Sequence, residues 1–229
     1  MARHNDGRHL FDIVAPEVKA ETFQRGVKRE YENAEYLIRQ GDKANGIHII
    51  TSGIVESLYE TEMGRSLILA TWEVGDFVGG PYVFGDHQHA WAARALGTVE
   101  ALHLDHDSLR AFVSERSPFA LALIECLGFK GDRYSKLAQT LATHTTTERL
   151  ALLLSELARN ATPSVDGFVR VGAIKQAKLA HMIGATRQAV GIALQKLEES
   201  GAIIVEPTSI VVLAPDDRKN PSRDPVSTK

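Results

Sequence analysis

The sequence predicts an α+β chain: an N-terminal antiparallel β jelly-roll barrel, then a long helix, then a C-terminal winged helix-turn-helix domain. Three observations predict it. Gly41, Gly53, Gly64 and Gly75 punctuate short apolar runs at intervals of 11 or 12 residues. That rhythm suits antiparallel strands and turns, not alternating βαβ units. A stripe of large side chains at spacings of 3, 4 or 7 follows, as in an amphipathic helix. Two short apolar-faced segments joined by Gly184-Ala185 then precede two β-branched runs.

Bulk properties bound the reading. The chain has 229 residues, 44% hydrophobic and 24% charged, which suits one large globular domain or two modest ones. Its net charge of −3 excludes a uniformly basic nucleic-acid binder, so any DNA contact must rest on a local patch. Cys126 is the sole cysteine. That excludes an internal disulfide or a four-thiolate iron–sulfur cluster and fits a reducing compartment. The polar start has no apolar run of the signal-peptide kind. The most apolar stretch, Leu150 to Leu154, is too short to span a bilayer. The expectation is a cytoplasmic protein with no membrane partner.

Residues up to about 25 read as a short helix or two. Strands follow from about Tyr31 to Leu104, with runs at Ile47–Ile50, Ile54–Val55, Leu67–Ala70 and Phe77–Val78; Trp72, Phe77, Tyr82, Phe84 and Trp91 are expected to supply much of their core. Ser108 to Asn160 reads as helical. Ser117-Pro118 opens the long helix, with Pro118 in its first turn. Leu123, Leu127, Tyr134, Leu137 and Leu141 form its stripe, which could face a partner helix or the chain's own barrel. Periodicity alone favours the barrel. Gly128 and Gly131 lower its helix propensity. The stretch from about Phe168 to Leu213 reads as a small helical domain closed by a hairpin. The tail from Pro215 to Lys229 is expected to be disordered. The boundaries are 1–107 for the barrel, 108–143 for the long-helix region, 144–214 for the C-terminal domain and 215–229 for the tail.

The C-terminal segment carries the chemistry. Leu179, Ala180, Met182 and Ile183 give one short helix an apolar face. Thr186 suits the N-cap of the next, and Gly201 its C′ position. Val190, Leu194 and Leu197 face inward. Between Ala173 and Leu197 the charged residues are Lys175, Lys178, Arg187 and Lys196, with no acid. This local positive charge can pair with phosphates. The expected DNA contacts are Lys175, Gln176, Lys178, Thr186, Arg187, Gln188, Gly191, Ile192 and Gln195. Arg and Gln have the fork geometry that reads guanine and adenine edges. Ile203–Val205 and Ile210–Leu213 would form the wing.

From Ile174 to Glu198 the sequence resembles the helix-turn-helix of the CRP/FNR regulators. Tyr36-Leu-Ile-Arg-Gln-Gly-Asp, Ile49-Ile-Thr-Ser-Gly and Val74-Gly-Asp-Phe-Val-Gly resemble that family's barrel. The resemblance implies that the long helix dimerises the chain. It also implies two recognition helices about 34 Å apart on a near-palindromic operator, and RNA polymerase as a partner if the protein activates. Arg187 stands at the family's guanine-reading arginine, Gln188 at a common glutamate, and Ile192 at a second arginine. The last two departures imply a changed half-site.

The same resemblance points to an effector pocket near Gly79, Gly80, Gln88, His89, Arg94 and Ser135. Gly80 stands where cyclic-nucleotide members carry the ribose-binding glutamate. Gln88-His89 stands where they carry the phosphate-binding Arg-Ser pair. Cyclic AMP in the usual mode is therefore not expected, and the cofactor is left unknown: another small molecule, or none. Haem on His87, His89, His103 or His106 and a redox role for Cys126 are weaker alternatives. The rival class is a cupin-like metal enzyme or metal sensor using His87-Gln-His89. That rival leaves the helix-turn-helix unexplained, so neither catalytic nor metal-binding residues are assigned.

Overall fold

A computed structural model describes residues 9–62, 64–159, 161, 169–172 and 174–212. The expected disordered tail, and Leu213 at the end of the second wing strand, lie outside the described residues. The chain falls into two compact units that meet in sequence between Thr143 and His144.

The first unit is the barrel with its helices. Two helices, α1 (Leu10–Ile13) and α2 (Pro16–Arg25), precede β1 (Val27–Tyr31), β2 (Tyr36–Ile38), β3 (Ile47–Glu60), β4 (Ser66–Trp72), β5 (Phe77–Val78) and β6 (Ala92–Leu104). The sheet order is β1-β6-β3-β4, with β2 on β6 and β5 on β3, all antiparallel. Strand alternation puts Ile47, Ile49, Leu102 and Leu104 into one core, which α1, α2, α3 (His106–Glu115) and α4 (Ser117–Thr143) cover. Leu37, Ile50, Val55, Trp72 and Val99 fill a second core.

Two expectations change here. Gly53 is not a turn between strands. It lies inside β3, at φ 84°, where the register against β6 slips. A β-carbon there would press on the Thr98 carbonyl, so glycine permits the bulge. The aromatic core is also smaller than expected. Trp72 and Phe77 are buried, but Phe84 is 71% exposed, and Tyr82 and Trp91 are half-buried wall residues of a cavity.

The long helix runs from Ser117 to Thr143, and the stripe on it divides between the barrel and the outside. Leu123 is buried in the barrel unit's own core, and Tyr134 packs against the second one. The apolar residues left exposed are Leu121, Ile124 and Leu127.

The second unit contains α5 (Thr146–Arg159), β7 (Val169–Gly172), α6 (Gln176–Ile183), α7 (Arg187–Glu199), β8 (Ile203–Val205) and β9 (Ser209–Val212). The sheet order β7-β9-β8 includes the expected hairpin and adds β7, a strand the sequence reading missed. Leu150 and Leu154 of α5 pack with Leu179, Val190, Leu194, Leu197 and Ile210 in one core. Among the described residues no helix is long and apolar enough to cross a membrane.

Candidate DNA-reading helix and sensor cavity

The two helices of the reading segment are held from inside. Gly184 takes the left-handed conformation at φ 63° and ends α6. Two residues later Thr186 caps α7, its hydroxyl accepting from the Ala189 N–H at 3.1 Å. Val190, Ala193, Leu194 and Leu197 are buried, which fixes the rotation of α7. Arg187, Gln188, Ile192 and Gln195 are therefore exposed; Ile192 is 52% exposed. Gly191 lies between them, and a β-carbon there would reach only Gln176 Oε1, at 3.8 Å. Gly191 therefore has room for a side chain, with the end of Gln176 beside it. Lys175 and Thr186 are exposed at the starts of the two helices, and Lys178 is half-buried on α6.

The far end of α7 is tied down by acids. Gln195 donates to Glu199 at 2.8 Å, and Glu198 accepts from the Val205 N–H at 3.0 Å. The second contact anchors β8 to α7. The end that carries Arg187 has no acidic residue in its first turn.

The barrel unit carries a half-open cavity of about 340 Å³ whose lining includes Trp72, Tyr82, Trp91, Lys130 and Tyr134. Of the six residues expected around a pocket, Gly79 and Gly80 line it. A β-carbon at Gly80 would overlap the Tyr82 ring, so this ring fills the space a side chain at Gly80 would take. The other four lie outside the lining. Lys43 bridges to Gln88, and His89 is stitched by backbone bonds to Gly41 and Asp42. Arg94 pairs at 2.6 Å with Glu56, whose side chain is 2% exposed. That makes Arg94 the counter-charge of a buried carboxylate. Ser135 is exposed, and its neighbour Tyr134 takes the wall position. Trp72 donates its indole N–H to Ser57 at 2.8 Å. Lys130 was missed by the sequence reading, although its spacing of four from Cys126 and seven from Leu123 places it on the apolar side of α4.

The other candidates separate. His87 bonds the Phe84 carbonyl at 2.9 Å and stacks on Tyr82. His103 bonds the Asn45 carbonyl at 2.8 Å and stacks on His48. His106 pairs with Asp107. Among the described residues no three His, Cys, Asp or Glu side chains gather as a metal set. Burial pushes the Cys126 thiol up to about 11, and so disfavours the reactive thiolate.

Residues 28–116 match the model of the cyclic nucleotide-binding domain, and residues 148–217 match that of the Crp-like helix-turn-helix domain. The chain is 28% identical over 187 residues to the cAMP-activated global transcriptional regulator CRP of Salmonella typhimurium, covering 80% of this chain and 88% of the relative. It is 24% identical over 204 residues to the CRP-like cAMP-activated global transcriptional regulator of Mycobacterium tuberculosis, covering 89% and 91%. The fold resembles that of the c-di-GMP responsive global regulator CLP of Xanthomonas campestris. That match has a TM-score of 0.75 at 22% identity and covers 86% of this chain and 99% of the other. With an antiparallel barrel, a long helix and a helix-turn-helix in the order of these relatives, the chain belongs to the CRP/FNR family of DNA-binding transcription regulators.

Proposed function

We propose that the chain acts as a homodimer that reads a near-palindromic operator and is controlled by a small molecule in its barrel. In this reading residues 1–107 form the sensor, 108–143 the dimer-forming region and 144–214 the DNA-binding domain. It is a regulator and not an enzyme. If it activates, RNA polymerase is the further partner.

The observation that carries this reading is the exposed, acid-free start of α7. Arg187 supplies the guanine contact, Gln188 favours adenine, and Ile192 meets a thymine methyl. Lys175, Lys178, Gln176, Thr186, Gly191 and Gln195 complete the contact surface with phosphates and bases. Binding-site selection tests this assignment. Arg187→Ala is expected to cost about 1–3 kcal/mol of discrimination at one base pair. Gln188→Glu is expected to change the selected base beside it. An unchanged half-site in the Gln188→Glu protein refutes the assignment.

Homodimer formation is supported by the outward face of α4. Leu121 and Ile124 are 66% and 63% exposed. Beside them Gly128 and Gly131 have open space where a β-carbon would stand, which suits close approach of a second helix. The double variant Leu121→Asp/Ile124→Asp is expected to sediment as a monomer and to lose operator binding. A dimer that survives both substitutions places the interface elsewhere. Cyclic AMP held through a glutamate and an Arg-Ser pair is not part of this reading, because Gly80 and Gln88-His89 occupy those positions.

A further inference from the structure

The cavity wall is built largely of rings, contributed by Trp72, Phe77, Tyr82, Trp91 and Tyr134. Into it α4 inserts one basic side chain, Lys130, which is 8% exposed. Its Nζ lies 3.1 Å from the Trp72 ring centroid and 4.8 Å from that of Phe77. No hydrogen bond or ion pair to Lys130 is seen among the described residues, and its Nζ is not one of the fully sealed atoms left without a partner, so it keeps some surface open; Asp76 and Cys126 act on it as charges.

This arrangement costs stability. A buried ammonium needs a counter-charge to offset its lost hydration, and ring faces return only part of it. A lysine with a purely packing role extends its head to water. The open surface of the Lys130 head faces a cavity large enough for a ligand of one or two fused rings, at the lower end of the ~300–1,000 Å³ of small-molecule sites. A second negative charge would find no second cation in the lining, which argues for a monoanion over a phosphate dianion.

Resting on the reading of the barrel as a sensor, we infer that the cavity takes a small planar aromatic monoanion, a carboxylate or phenolate. Its charge pairs with Lys130 Nζ and its ring packs among Trp72, Trp91 and Tyr134. The ligand would thereby touch α4, the helix whose other face carries Leu121 and Ile124.

Calorimetric titration of the purified full chain tests the inference, with 2-naphthoate, the neutral 2-naphthamide and cyclic AMP as probes. The expected result is one naphthoate per chain, bound at least tenfold tighter than the amide. Lys130→Met is expected to erase that preference, and Lys130→Arg to keep most of it. Equal affinity for acid and amide overturns the inference. So does a preference that survives in Lys130→Met, saturable binding of cyclic AMP alone, or no binding of either naphthalene probe. If Lys130→Met does not fold, the wild-type ratio and Lys130→Arg decide. A parallel operator selection separates this inference from the regulator reading. Specific DNA binding without naphthoate binding defeats the sensor inference alone. Naphthoate binding without specific DNA binding defeats the regulator reading alone.

Discussion

The interiors of the two units are built on different terms. Among the described residues, every buried side chain after Thr143 is apolar, whereas the barrel unit buries Thr22, Glu56, Ser57, Asp76, His89 and Lys130. The C-terminal unit is proposed to do its work on an outer face. Its interior has only to hold α7 at the right rotation, and close-packed aliphatic side chains suffice. The barrel unit holds polar groups in its interior, where burial costs the most; of the six, Ser57 and Lys130 line the cavity, and Glu56 is paired with Arg94. The two units thus differ in buried polarity, and only part of that difference belongs to the cavity.

Three substitutions test this contrast. The largest effect is expected for Arg94→Met. It leaves Glu56 buried without its 2.6 Å partner, at a cost of about 3–5 kcal/mol, read as the denaturation midpoint of the barrel. A barrel of unchanged stability would show that Glu56 does not depend on Arg94. Next comes Leu154→Ala, in the apolar core of the other unit. A cavity there is expected to cost about 3 kcal/mol and to weaken operator binding by loosening α7, with no charge involved.

The third effect has the opposite sign. Burial lowers Lys130 from the ordinary 10.5 to about 7, with Asp76 and Cys126 pulling it up and Arg133 pulling it down. Unfolding restores the ordinary value, so above pH 7 the unfolded chain holds a proton that the folded chain lacks. Stability then rises with pH from 7 to about 9, where the thiol of unfolded Cys126 begins to ionise. Lys130→Met is expected to stabilise the barrel by about 2 kcal/mol at pH 7 and to flatten that rise. Urea titrations at several pH values measure both. A destabilised Lys130→Met protein with an unchanged pH slope would make the lysine a packing residue.

The contrast also governs what the sequence reveals. The reading segment is legible because its signals are local. Thr186 caps, Gly184 turns, Gly201 is left-handed, and Val190, Leu194 and Leu197 share one face. The barrel is legible at Gly41, Gly64 and Gly75, whose positive φ values accompany turns. It is not legible at Gly53, because a bulge inside a strand and a turn between strands leave the same mark. Which aromatic positions reach the cavity depends on how the strands close, which no local pattern records. Lys130 is the instructive miss. A lysine in a helix is ordinarily read as solvated, yet its spacing from Leu123 and Cys126 already assigns it to the buried side. The four-residue strand β7 is too short to show alternation, and its pairing with β9 is a long-range event.

The aromatic residues of the cavity also have a spectroscopic consequence. Both tryptophans and all five tyrosines of the chain precede Thr143, and none follows it. The tryptophan and tyrosine emission of the unlabelled protein therefore originates wholly in the barrel unit, and Trp72 and Trp91 stand on the cavity wall itself. A melting curve followed by emission records the barrel alone, while far-ultraviolet dichroism records both units. The gap between the two curves, with and without operator DNA, measures how strongly the units melt together.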